Sequence, residues 1–67
     1  MERKITQKEL ESIVAKHAAW LNDTQAGEPA DLSDMDLSDM DLTGANLTGA
    51  CLFNTDLTGA NLTNINK

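Results

Sequence analysis

Residues 30–66 read ADLSD MDLSD MDLTG ANLTG ACLFN TDLTG ANLTN IN, and a leucine holds the third place of each of the seven complete units. A small or apolar residue stands two positions before each leucine, and Asp or Asn directly precedes all but one. An α-helix would rotate successive leucines by roughly 140°, and a strand would send them to alternate faces. Only a chain that turns a corner about every five residues can keep all these leucines inside, as the stacked repeats of a solenoid do.

This pattern resembles that of the pentapeptide-repeat family, A-(D/N)-L-x-x, from Ala30 to Asn66. The resemblance implies an all-β solenoid, a right-handed quadrilateral β-helix in which four repeats, about twenty residues, complete one coil. Residues 30–49 would form the first coil, and residues 50–67 would nearly complete a second. Residues twenty apart would stack at roughly the 4.8 Å spacing of neighbouring strands, which puts Asp36 over Asp56.

The residues before the repeats predict one helix and a linker. Thr6 and Glu9 have the spacing of a capping box, in which each side chain bonds a free amide of the first turn. Turn-forming residues after Leu21 should end the helix there. The three-and-four spacing of a helical face is found at Leu10, Ile13, Val14, His17, Trp20 and Leu21. We predict a single domain of two parts, a capping helix with its linker over 1–29 and the β-helix over 30–67.

Net charge restricts the function. The 67 residues carry eleven acidic and five basic side chains, a formal charge of −6, and residues 30–67 contribute −5 through six Asp and one Lys. Such a chain disfavours nucleic acid and membranes as direct ligands and favours a basic surface on another protein. A core this small leaves little room for a substrate pocket. No run suits a leader peptide or a membrane span, so we expect a cytoplasmic protein.

Seven acidic residues are the candidate contacts for such a partner: Asp31, Asp34, Asp36, Asp39, Asp41, Asp56 and Glu28. Four of the aspartates lie directly before a leucine, where the repeat calls for Asp or Asn, so hydrogen bonding within the fold is an alternative role for them. Asp34 and Asp39 stand where Gly or Asn is common, and their charge exceeds what the fold requires. We rank Asp34, Asp36 and Asp39 highest because they share a face and its corner, and we place Glu28 at the rim.

The acidity also points to a mode of action. Several pentapeptide-repeat proteins are mimics of duplex DNA, including some that bind DNA gyrase. Carboxylates on a rigid rod would compete for the Lys and Arg that hold a DNA backbone. A chain this short suits a small crevice better than a long gyrase saddle, and it resembles phage-encoded anti-CRISPR proteins of the type I-C class. The resemblance implies an inhibitor in the host cytoplasm that binds a CRISPR surveillance complex or, alternatively, DNA gyrase.

Two other classes of function serve as comparisons. A structural or protein-interaction module would use Phe53 and the end of the second coil, where homodimerisation could cover apolar surface. Its binding would depend on Phe53 and little on salt. Enzyme activity is not expected, because His17 lies on the apolar helix face and Cys51 has neither a nearby histidine nor a second cysteine. The aspartates lack the loop of a calcium-binding hand. We therefore predict no catalytic, cofactor-binding or metal-binding residues.

Overall fold

The computed structural model describes residues 3–66 and contains one helix and two short strands within them. Strand β1 (Arg3–Lys4) precedes helix α1 (Gln7–Asn22), and strand β2 (Met35–Asp36) lies in the second repeat. β1 and β2 pair in parallel, with Arg3 opposite Met35. The outer ends of the two predicted parts, residues 1, 2 and 67, lie outside the described residues. Because β1 pairs with β2, the segment before the helix lies beside the second repeat.

The repeats have a β-helix-type fold, in which the chain returns beside itself every twenty residues. Four parallel bridges connect the repeats: Asp31 with Cys51, Asp36 with Asp56, Asp41 with Asn61, and Asn46 with Asn66. The Leu32 amide donates to the Cys51 carbonyl at 2.9 Å, and the Cys51 amide donates to the Ala30 carbonyl at 3.0 Å. We call residues 30–49 the first row and residues 50–66 the second row. The predicted stacking of Asp36 on Asp56 is confirmed.

A tight turn closes each repeat and makes the corner that the five-residue period requires. The Met35 amide donates to the Leu32 carbonyl at 3.2 Å, and later repeats make the same bond. The last residue of each repeat is left-handed, with φ between 58° and 80°. A turn with positive φ at its third residue favours Gly or Asn there. These corner residues are Asp34, Asp39, Gly44, Gly49, Asn54, Gly59 and Asn64.

The core lies between α1 and the first row. Leu10 of the helix is 1% exposed, and the four leucines of the first row are 0–2% exposed. The leucines of the second row and Ile65 are only partly buried, although they pack against the same cluster. The repeats have the same pattern in both rows, so the difference comes from the helix, which covers the first row alone.

Helix α1 begins as predicted and ends one residue beyond the predicted end. The Glu9 amide donates to Thr6 Oγ1 at 3.1 Å, and the Thr6 amide donates to Glu9 Oε1 at 3.0 Å, which confirms the capping box. The helix ends at Asn22. No helix within residues 3–66 combines the length and apolarity needed to cross a membrane.

His17 attaches the helix to both ends of the first row. Its side chain is fully buried, its Nδ1 accepts from the Ala30 amide at 2.8 Å, and its Nε2 lies 2.8 Å from the Thr48 carbonyl. Because Nδ1 accepts, Nε2 is the nitrogen that donates to Thr48. The ring also stacks on Trp20, with centroids 5.4 Å apart. The expectation of a packed histidine on the apolar face is confirmed, and the packing is completed by two backbone hydrogen bonds.

Candidate acidic binding surface

Four of the candidate carboxylates are part of the corner structure. In each, Oδ1 accepts from the backbone amide and the hydroxyl of the Ser or Thr two residues later. At Asp56 these bonds measure 3.0 Å from the Thr58 amide and 2.7 Å from its hydroxyl. Asn46 and Asn61 make the same two bonds with an amide oxygen. The bonding therefore needs an oxygen acceptor but not a charge. We call this set the turn carboxylates: Asp31, Asp36, Asp41 and Asp56.

The same hydrogen bonds shift the acidity of these groups. In every turn carboxylate, donation from the Ser or Thr hydroxyl is the largest cause that lowers the pKa below 3.8, and donation from the backbone amide is the second. Desolvation opposes both, and the charge of Asp36 further raises the pKa of its stacked neighbour Asp56. Hydrogen bonds to the ionised form favour it. The turn carboxylates are therefore held in the charged state at neutral pH.

Asp34 and Asp39 differ from the turn carboxylates, because their side chains take no part in the hydrogen bonds recorded within residues 3–66. Both are exposed and left-handed, with φ of 59° and 62°. Asn and Gly occupy the equivalent corners of the later repeats, and Asp is tolerated there because a short polar side chain fits this backbone region. The left-handed corner therefore needs a small or short polar residue at these positions but not a negative charge.

The carboxylate of Asp39 lies beside Gly59 of the second row. A Cβ added to Gly59 would clash with the Asp39 carboxylate, so the glycine leaves room for it. The backbone holds the two corners together, since the Asp39 amide donates to the Thr58 carbonyl at 3.0 Å. The carboxylate of Asp39 therefore lies over the edge of the second row.

Asp36, the third of the highest-ranked residues, lies in a different environment. Lys4 Nζ is 3.6 Å from Asp36 Oδ2, and the Asp36 side chain is only 21% exposed. Arg3 also reaches the first row, donating from Nη2 to the Ser33 carbonyl at 2.7 Å. Nothing in the spacing of the sequence predicts this, because the contacts join residues about thirty positions apart. Two basic side chains thus reduce the negative field on this part of the surface.

The remaining candidates lie apart from one another. Glu28 is exposed on the linker and lines a shallow groove together with Lys16 and Asp31. Asp41 lies in the third repeat, where the Gln7 side chain bonds both its amide and its carbonyl at 2.9 Å. The seven predicted residues are therefore spread over several faces. Asp34, Asp36 and Asp39 are neighbours along the first and second repeats, Asp56 stacks on Asp36, and Asp31 lies between Asp34 in the sequence and Glu28 across the groove.

Comparison with known proteins identifies the repeat but no individual relative. The sequence pattern of pentapeptide repeats matches residues 30–66 in eight copies. No curated protein matches the chain significantly, and no solved structure does. The match covers the same residues that form the two rows.

Proposed function

The chain belongs to the pentapeptide-repeat family, and on that premise we propose that residues 30–66 form a right-handed quadrilateral β-helix of about two coils. The bridges between residues twenty apart support this architecture, and so do the left-handed corners at every fifth residue. Helix α1 would act as the cap of the first coil, since Leu10 shares the core of the first row.

We further propose that the protein is an inhibitor that occupies a duplex-DNA-binding site on a basic protein. The observation that carries this proposal is the placement of charge at Asp34 and Asp39. Both carboxylates are exposed at corners where the backbone needs only Gly or Asn. Asn would satisfy the left-handed backbone equally well, and like charges crowded into one region disfavour the folded state. Binding to cations on a partner would offset that cost.

The dimensions of the molecule favour a short binding site. Its principal extents are 31 × 26 × 20 Å, equivalent to roughly six to nine base pairs at 3.4 Å per pair. We propose that the protein is an anti-CRISPR protein and that its partner is a type I CRISPR surveillance complex. It would bind the site at which that complex reads a short duplex segment. DNA gyrase is the alternative partner. In either case inhibition would occur by occupancy in the cytoplasm, without catalysis, cofactor or metal.

The test is a competition experiment with a charge-matched control. Asp34→Asn with Asp39→Asn removes two charges while keeping a residue suited to each corner, as at Asn54. The control, Glu11→Gln with Asp23→Asn, changes the net charge equally on α1 and at its C-cap. Both variants and the wild type compete with a short duplex for a type I-C surveillance complex and, in parallel, for DNA gyrase.

We expect the corner variant to compete about tenfold or more weakly, and the control to behave like the wild type. Wild-type binding should also fall steeply between about 50 and 200 mM salt, because the displaced contacts are ionic. Competition by the corner variant at the wild-type level would overturn the proposal. An equal loss of competition in the control and the corner variant would show that only total charge matters, and would also overturn the role given to Asp34 and Asp39.

A second candidate function, a homodimeric interaction module, is favoured by the uncovered second row. Leu52, Leu57 and Leu62 are half-buried, and their amides donate to no backbone carbonyl within residues 3–66. A second copy could cover this edge. Sedimentation equilibrium tests it: a dimer that dissociates when Leu57 is replaced by Asp supports the module, and a monomer at all accessible concentrations contradicts it.

A further inference from the structure

One repeat of the seven departs from the corner chemistry of all the others. Six repeats place Asp or Asn before the leucine and Ser or Thr after it, and these side chains bond to each other. Repeat 50–54 has Cys51 and Phe53 at the same two positions. It therefore lacks both the oxygen acceptor and the hydroxyl donor. The two replacements occur together, in one repeat.

The turn does not depend on this exchange. The corner forms without the side-chain bonds, because the Thr55 amide still donates to the Leu52 carbonyl at 3.2 Å and Asn54 is still left-handed, with φ of 59°. The Phe53 side chain is 70% exposed, and Cys51 is exposed as well. Placing an aromatic ring in water gives up the favourable burial that such a side chain normally provides. Among the described residues, Phe53 is the one large hydrophobic residue that is exposed.

Two aspartates of the first row lie next to repeat 50–54. The Asp34 amide donates to the Phe53 carbonyl at 2.9 Å, so these residues lie on adjacent rows. Asp31 pairs with Cys51 in the same way. Adjacent rows are separated by roughly 4.8 Å. We call Asp31, Asp34, Cys51 and Phe53 the Phe53 face. Arg3 lies beside it, where it donates to the Ser33 carbonyl and its charge adds to the hydrogen bonds from Ser33 in lowering the pKa of Asp31, but the two aspartates leave the surface around Phe53 negative.

We propose that Phe53 is the anchor of the partner-binding surface, entering an apolar pocket whose border carries Arg or Lys side chains that pair with Asp34. This inference rests on the proposed function, because the acidic border selects a basic protein. Arginine suits the position, since its stem packs on an aromatic ring while its guanidinium binds a carboxylate. Buried aromatic anchors commonly supply much of the binding energy at protein interfaces.

Charge complementarity argues against a second copy of the chain as the occupant. In a symmetric dimer the same patch meets itself. Two Phe53 faces brought together would place Asp31 and Asp34 of one copy beside the same carboxylates of the other. Like charges in contact across an interface select against that pairing. A basic partner would meet the same carboxylates with opposite charge.

The test restores the common repeat chemistry at these two positions. Cys51→Asn with Phe53→Thr reproduces the side-chain pair found at Asn46 and Thr48. Because two hydrogen bonds are regained, this variant should melt at or above the wild-type temperature, so that lost binding cannot be attributed to unfolding. In the competition with duplex for the surveillance complex and for gyrase, we expect binding about tenfold or more weaker. The dependence on salt should stay close to that of the wild type.

The outcomes separate the inference from the function on which it rests. Wild-type binding by the restored variant would overturn the role of Phe53 while leaving the charge-based proposal intact. An unaffected Asp34→Asn, Asp39→Asn variant would overturn the charge-based proposal instead. If the restored variant binds normally but changes the oligomeric state, the Phe53 face is a self-contact and the inference is wrong. The double variant Phe53→Thr, Asp34→Asn gives a further check. If it loses less binding energy than the sum of the two single variants, the two residues share one contact, which supports the inference.

Discussion

Replacement of His17 by Phe tests whether the helix is held to the repeats by hydrogen bonds or only by apolar packing. Phe is also a flat ring that can stack on Trp20, but it is larger than His and offers neither acceptor nor donor, so some overpacking adds to the loss. The Ala30 amide and the Thr48 carbonyl would each lose a partner at 2.8 Å. Ala30 is 5% exposed, so its amide would lose its hydrogen bond without gaining one to water. Thr48 is exposed, and water can more easily replace the bond to its carbonyl.

The expected loss is a large part of the total stability. An unpaired buried polar group costs about 1–3 kcal/mol, and with a partial penalty at Thr48 the sum is about 2–4 kcal/mol. A domain of 67 residues has a free energy of unfolding of roughly 3–10 kcal/mol in total. The variant should therefore lose on the order of half of its free energy of unfolding.

Urea denaturation followed by circular dichroism measures the change, with the slope of the transition as a check on two-state behaviour. His17→Gln serves as the matched variant, because its amide keeps one donor and one acceptor. It should lose less stability than the Phe variant, while His17→Ala should lose more because it also leaves a cavity. If the Phe variant is as stable as the wild type, or more stable than the Gln variant, the helix is attached by packing alone and the reasoning is wrong.

Three further predictions concern the cap, the corners and the carboxylates. Thr6→Ala removes the N-cap acceptor and should lower the free energy of unfolding by about 1 kcal/mol in urea titrations; an unchanged midpoint would refute a stabilising cap. Gly44→Ala should lower the free energy of unfolding by about 1–2 kcal/mol, because Ala disfavours the left-handed backbone. No steric cost is added, since nothing lies within 4 Å of the new methyl group. Gly59→Ala should cost about the same, because the side-chain atom nearest its methyl is the end of the exposed Asp39 side chain, which can rotate away; a clearly larger loss would show that this carboxylate cannot move. The turn carboxylates have folded pKa values lowered below 3.8, so their stabilisation is present above that unfolded value and is lost as pH falls through the lowered pKa. The melting temperature should therefore decline on acidification below about pH 4, and a constant melting temperature would refute the assignment.

Sequence period alone predicts the interior of the repeats. Leu32 and its equivalents return every fifth residue, which no helix or flat strand can keep on one side, and the first-row leucines are 0–2% exposed. The capping box at Thr6 and Glu9 is equally local, since both partners lie within one turn of helix. Each of these features is a relation between residues close in the chain, or one repeated many times.

The candidate surface was only partly predictable. Its acidic residues can be read from the composition, but the separation of the turn carboxylates from Asp34 and Asp39 depends on hydrogen bonds that the structure reveals. The ion pair of Lys4 with Asp36 and the position of Asp34 beside Phe53 join residues distant in the chain. The ion pair is made once, so no periodic signal predicts it, whereas the contact of Asp34 with Phe53 follows from the twenty-residue stacking and recurs between Asp39 and Thr58.

The amino-acid order of this protein determined where its chain turns, which side chains face inward and where its helix starts, because backbone geometry and apolar burial act on neighbouring residues. Tertiary packing decided which row is covered by the helix, which carboxylates are hydrogen-bonded within the fold and which basic side chains lie near them. The reason is that His17 and Lys4 take their roles from unrepeated contacts with residues distant in the chain, and such contacts exist only once the helix and the rows have come together.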